Sequence, residues 1–173
     1  MAVLLSGRGS NFAALAEACA RGEVPAEIVL VLSNKPDAAG LRRASERSIP
    51  CRVVPSRGVA RDEHERGLLA ALTAVRADWV CLAGYMRLLS ADFVERFPNR
   101  ILNIHPALLP AFPGLDAQRQ AWEYGAKVSG CTVHLVDAGC DSGPVVLQRA
   151  VTVLDDDTPE TLAMAREGIA AFD

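Results

Sequence analysis

Asn103 and His105 stand two residues apart, with Pro106 directly behind them. On a strand such a pair shares one face, so both side chains point the same way while Ile104 turns to the core. Pro106 then stops the strand and fixes the direction in which the chain leaves it. An amide and a titratable ring side by side can hold an oxygen that becomes negative during acyl transfer. That chemistry needs a carboxylate to orient the ring and keep it protonated. Asp141, within Gly139-Cys140-Asp141-Ser142-Gly143, is the first candidate, and Asp137 of the same loop is its rival. The bland alternative is real: a lone histidine at a strand end is usually a packed or surface residue, and Asp-x-Gly is ordinary turn chemistry. His134, mid-strand between Val133 and Leu135, is expected to be structural. His64, in the charged stretch Arg61-Asp62-Glu63-His64-Glu65-Arg66, is expected to be solvated.

No Gly-x-Ser-x-Gly elbow is present and no cysteine is obviously paired with a histidine, so a covalent acyl-enzyme has no support. Direct transfer between two bound substrates is simpler, with proximity supplying much of the rate. The five cysteines form no CxxC and read as reduced thiols in the core of a cytoplasmic protein. With the three histidines scattered as well, no metal is expected.

A second constellation, Ser6-Gly7-Arg8-Gly9-Ser10-Asn11, falls between a first strand and a first helix. Glycines there let the backbone approach an anion, and the N–H groups of a helix start point at it. A dinucleotide fingerprint needs a small residue where Phe12 stands and an acid after the second strand, which ends Leu32-Ser33-Asn34. A Walker loop needs Gly-Lys-Ser/Thr, also missing. The functional reading left is a monophosphate site; the competing one is a tight turn with Asn11 capping the helix.

The elements that must position these groups alternate. Strands are expected at residues 2–6, 28–33, 51–54, 79–83 and 101–104, with helices at 11–21, 37–47, 61–75 and 91–97. That order predicts an α/β fold with an open, mostly parallel, doubly wound sheet in a single domain. The second half reads as less regular. A proline-rich loop covers 105–114, then come a helix at 117–124, strands at 132–137 and 145–153, and a helix start at Thr158-Pro159-Glu160. The chain has 173 residues, is half hydrophobic and carries a net charge of −3, a globular composition that argues against nucleic acid as partner. Apolar runs are too short for a membrane span, and no signal peptide is visible.

Ser-Gly-x-Gly-Ser-Asn, then Leu82-Ala83-Gly84-Tyr85-Met86-Arg87-Leu88-Leu89, then Asn103-Ile104-His105-Pro106-Ala107-Leu108-Leu109-Pro110 with Pro113-Gly114, and then Asp141-Ser142-Gly143-Pro144 follow in that order. Together they strongly resemble the glycinamide ribonucleotide formyltransferases, over nearly the whole chain through about Val153. The resemblance implies a Rossmann-like fold and transfer of a formyl group from 10-formyltetrahydrofolate, the co-substrate, to the amine of glycinamide ribonucleotide in purine biosynthesis. It implies that Asn103, His105 and Asp141 are catalytic and that Gly9, Ser10 and Asn11 hold the substrate phosphate. It assigns Arg61, Met86, Arg87, Leu88, Leu89, Asp137, Ala138, Gly139 and Cys140 to the folate, with Leu82, Leu88, Phe93, Ile101 and Val136 as apolar walls. Family members normally continue further, so residues 1–173 are expected to be one formyltransferase domain shortened at its C-terminus, with Glu167 matching a substrate ribose contact. The expected partners are these small molecules, with no nucleic acid and no membrane, in a monomer or homodimer. The rivals are another folate formyl-transfer or deformylase enzyme and a non-catalytic phosphometabolite-binding relative.

Overall fold

The computed structural model describes residues 1–167, with side chains as far as Ala163. The chain divides into two compact units, residues 1–101 and 102–173, each described in turn.

In the first unit the sequence alternates strand and helix: β1 (Ala2–Leu5), α1 (Ser10–Ala20), β2 (Leu30–Ser33), α2 (Ala39–Glu46), β3 (Cys51–Val53), α3 (Arg61–Ala74), β4 (Val80–Leu82) and α4 (Ala91–Glu95). The four strands lie in the order β3-β2-β1-β4 and all pairs are parallel, with Val3 beside both Val31 and Cys81. Every residue of β1 and β2 is buried, which is why they read as unbroken apolar runs rather than as alternation. Val3, Leu5, Phe12, Ala16, Ile28, Val31, Ala38, Ala44 and Ala83 form one core cluster. The edge strand β3 exposes Cys51 and Arg52, so the expectation that the cysteines sit in the core fails at this position. It fails again at Cys140, which is also exposed.

The strand β5 (Ile101–His105) leads into the second unit, which also holds α5 (Ala117–Glu123), β6 (Val128–Leu135), β7 (Val145–Thr152) and α6 (Pro159–Glu167). Here pairing is antiparallel, β5 with β6 and β6 with β7. The strand β6 starts four residues before the expected 132. Gly130 explains part of that miss: its missing Cβ would lie 2.0 Å from the Arg149 carbonyl oxygen, so this glycine fits a close strand approach rather than marking a break. The α6 start is as read, with the Thr161 N–H donating to Thr158 Oγ1 at 3.2 Å and Pro159 at the first helical position. The fold class is α/β with an open, mostly parallel sheet, as expected. Among the described residues no helix is long and apolar enough to cross a membrane.

Candidate active site

The order β3-β2-β1-β4 reverses its direction of winding at β1, and in open α/β sheets ligands bind outside the carboxyl ends of the strands at such a point. Two of the sequence-predicted segments meet there. The Ser6 N–H donates to the Gly84 carbonyl at 3.0 Å, and the Met86 N–H donates to Ser6 Oγ at 2.9 Å. Ser6 Oγ in turn donates to Asn34 Oδ1 at 2.6 Å, and Asn34 Nδ2 to Ser56 Oγ at 3.0 Å. One buried polar chain thus ties together the loops leaving the carboxyl ends of all four parallel strands. Sequence reading missed it, although Ser6 and Asn34 directly follow the ends of β1 and β2.

Gly9, at φ +73°, caps α1 and abuts α2, where a Cβ would lie 2.6 Å from Gly40 Cα. Its conformation and its packing both call for glycine. Ser10 and Asn11 form the first turn of α1, which carries no acidic residue. Asn11 therefore lies inside the helix and is not its cap, contrary to the tight-turn reading. Met86, Arg87 and Leu88 are exposed beside this loop, while Leu89 is buried. Of the expected apolar walls, Leu82, Phe93 and Ile101 are core residues and Leu88 is open to solvent. Arg61 donates from Nε to Glu65 Oε1 at 3.2 Å. His64 is not solvated as expected: it is 3% exposed, with Nδ1 3.0 Å from the Pro55 carbonyl oxygen and Nε2 2.5 Å from the Tyr85 hydroxyl. Burial holds its pKa below the ordinary histidine value, with the Arg87 charge acting in the same direction and the Pro55 hydrogen bond and Glu65 opposing.

In the second unit Asn103, His105 and Asp141 converge. Asp141 Oδ2 lies 3.2 Å from His105 Nδ1 and accepts the Gly114 N–H at 2.8 Å, while Oδ1 accepts from Asn103 Nδ2 at 3.3 Å. His105 is buried, and its Nε2 is 2.8 Å from the Phe112 carbonyl oxygen. Both ring nitrogens thus have an oxygen nearby, one of a carboxylate and one of a backbone carbonyl. Asp137, the rival carboxylate, does different work. Its Oδ1 accepts from the Gly139 N–H and from Ser142 Oγ, both at 2.9 Å, and so shapes the loop that carries Asp141. That loop passes so close to β6 that a Cβ on Gly143 would lie 1.9 Å from the Leu135 carbonyl oxygen. Ala138, Gly139 and Cys140 are exposed at its tip. Ile104 is only half-buried, rather than a core residue as expected.

His134 belongs to this cluster, which the sequence reading missed. It is 2% exposed; Nδ1 lies 2.9 Å from the Leu135 carbonyl oxygen, and Nε2 lies 3.1 Å from Asn103 Nδ2 and 3.5 Å from Asp141 Oδ1. With the Nδ1 proton on that carbonyl, Nε2 is an acceptor for the Asn103 amide. The register puts Asn103 opposite His134 and His105 opposite Thr132. Thr132 ties down the loop after β5: Oγ1 donates to the Ala107 carbonyl at 2.7 Å and accepts the Leu109 N–H at 3.0 Å and Gln148 Nε2 at 3.0 Å. The proline-rich loop that supplies the Phe112 carbonyl and the Gly114 N–H is held there. The side chain of Glu167 lies outside the described residues.

An amide, a buried imidazole and a carboxylate that converge in this way can steady a developing negative charge, which is what group-transfer chemistry requires. Residues 1–168 match the formyl transferase family, and the chain belongs to it. It is 40% identical over 169 residues to a phosphoribosylglycinamide formyltransferase of Haemophilus influenzae, covering 96% of this chain and 80% of that one. It is 49% identical over 166 residues to the trifunctional purine biosynthetic protein adenosine-3 of Drosophila melanogaster, covering 94% of this chain but spanning only 12% of that protein. The crystal structure of glycinamide ribonucleotide transformylase 1 from Symbiobacterium toebii superimposes with a TM-score of 0.95 at 47% identity, over 98% of this chain and 81% of that one.

Proposed function

We propose that the chain is a phosphoribosylglycinamide formyltransferase, which moves the formyl group of 10-formyltetrahydrofolate to the amine of glycinamide ribonucleotide in purine biosynthesis. The observation that carries this reading is the convergence of Asn103, His105 and Asp141 through the two oxygens of one carboxylate. The names of its relatives support the same substrates. In this reading residues 1–173 act as one formyltransferase domain in the cytoplasm, as a monomer or homodimer.

The substrate amine attacks the formyl carbon, forming a C–N bond and an oxyanion. Protonated His105 and the Asn103 amide stabilise that oxygen, His105 exchanging its Phe112 partner for it and Asn103 the longer of its two hydrogen bonds, that to Asp141. Asp141 balances the charge on the ring. A proton leaves the amine and reaches N10 of the folate through water as the C–N10 bond breaks. Gly9, Ser10 and Asn11 hold the phosphate at the start of α1. The segments Met86–Leu89 and Asp137–Cys140, with Arg61, hold the folate. Binding alone would need the glycine loop but not this trio, which disfavours a non-catalytic role.

A formyl-transfer assay with both substrates tests the proposal. Turnover by the parent chain and its loss by about a hundred- to ten-thousandfold in His105→Ala, with the fold retained, is the expected result. No turnover by the parent, or near-parental activity in the variant, would remove the assignment.

A further inference from the structure

Two adjacent residues of α3 grip both ends of one exposed segment. At its start the Tyr85 hydroxyl lies 2.5 Å from His64 Nε2. The opposite ring nitrogen has the Pro55 carbonyl oxygen as its partner at 3.0 Å, so Nδ1 carries the proton and Nε2 accepts from Tyr85. At its end the Ser90 N–H donates to Glu65 Oε1 at 2.8 Å, and Ser90 Oγ donates to Glu65 Oε2. Ser90 Oγ also accepts the Phe93 N–H at 3.1 Å, which makes the same residue the cap of α4. His64, Glu65 and Tyr85 are all buried, whereas Met86, Arg87 and Leu88 between the two grips are exposed.

Buried polar groups cost stability unless fully paired, and here three are paired in a way that fixes one short stretch of backbone. Arg61 Nε completes the carboxylate at 3.2 Å. A hydrophobic pair would pack this interface without setting the direction of each bond. We propose that His64 and Glu65 act together as a clasp on the segment from Tyr85 to Ser90 and are positioning residues for folate binding. This rests on the reading of Met86–Leu89 as part of the folate site. The clasp touches no substrate: it sets where the segment's backbone groups stand, and a shift of a few tenths of an ångström there weakens whatever hydrogen bonds those groups make to a ligand.

The test is calorimetric titration of the parent and variants with 10-formyl-5,8-dideazafolate, alongside the KM for glycinamide ribonucleotide. His64→Phe and Tyr85→Phe each weaken folate binding by about fivefold, and the double variant by no more than either alone, since both remove the same bond. Glu65→Gln weakens it by about tenfold, because its amide N–H meets a Ser90 donor. His64→Gln, which restores an acceptor for the Tyr85 hydroxyl, binds within about twofold of the parent. The KM for glycinamide ribonucleotide stays constant throughout. A parent that binds no folate overturns the functional reading and the clasp with it. A parent that binds while folded variants bind equally well overturns the clasp alone. So does a proportional loss of both substrates with a lowered Tm, which marks a merely structural role.

Discussion

Asp141 Oδ2 stands 3.2 Å from His105 Nδ1, and Asp141 itself adopts a left-handed backbone with φ +52°. A non-glycine residue held there costs about 1–3 kcal/mol, which the Gly114 N–H and the Asn103 amide on its carboxylate offset. The carboxylate is thus a hub that fixes the ring, the amide and the proline-rich loop together. Asp141→Asn keeps the shape but removes the charge and places an N–H among donors. We expect kcat/KM to fall by about a hundredfold or more with a smaller change in Tm. Asp137→Asn, by contrast, leaves an oxygen to accept from the Gly139 N–H and Ser142, and kcat/KM stays within about tenfold. Equal losses in the two variants would show that loop shape, and not the Asp141 charge, limits the reaction.

His134 supplies the acceptor that turns the Asn103 amide toward Asp141. His134→Phe fills the same buried volume but leaves an amide hydrogen of Asn103 without a partner, at a cost of about 1–3 kcal/mol. The expected result is a urea midpoint shifted down and a lower kcat, with the KM for both substrates nearly unchanged. His134→Gln restores an acceptor and recovers most of the loss. A drop in stability with full kcat would make His134 a core residue only.

The contrast between His105 and the other two histidines shows what the sequence could convey. Asn103 and His105 were legible because strand period alone puts them on one face. His134 was not, because its role depends on an antiparallel register, Asn103 opposite His134, that no local pattern encodes. His64 carried a signal that its charged neighbours masked: with Leu68, Ala71 and Leu72 it forms one buried helical stripe at spacings of four, seven and eight. Asp141 and Asp137 share a loop and a residue type, so only the direction of each carboxylate separates them. The parallel strands were easy to read, since β1 and β2 are buried throughout.

Two glycines in the loop between β1 and α1 differ in what they tolerate. Gly9→Ala must place a Cβ 2.6 Å from Gly40 Cα while keeping φ at +73°, whereas a Cβ on Gly7 meets nothing within 4 Å. We expect Gly9→Ala to lower stability by about 1–3 kcal/mol and Gly7→Ala by well under 1 kcal/mol. Chemical denaturation of both variants decides the matter. A small effect of Gly9→Ala would mean that α1 and α2 separate easily, and that the glycine is there for the ligand rather than for packing.

Acid should destabilise the chain partly through His64. Its folded pKa is lowered by burial, with the Arg87 charge adding to the effect, against the Pro55 carbonyl and Glu65. The unfolded chain therefore takes up a proton near pH 6.5, where the folded chain still refuses it. Stability is full above that pH and falls as the pH drops through it, levelling only below the folded pKa. One such site contributes a slope of at most about 1.4 kcal/mol per pH unit. Urea midpoints at pH 7.5 and 5.5 should differ more for the parent than for His64→Gln, which cannot titrate but still offers the Tyr85 hydroxyl an acceptor. Identical differences would mean that His64 opens to water before it charges, and that the acid sensitivity arises from other groups.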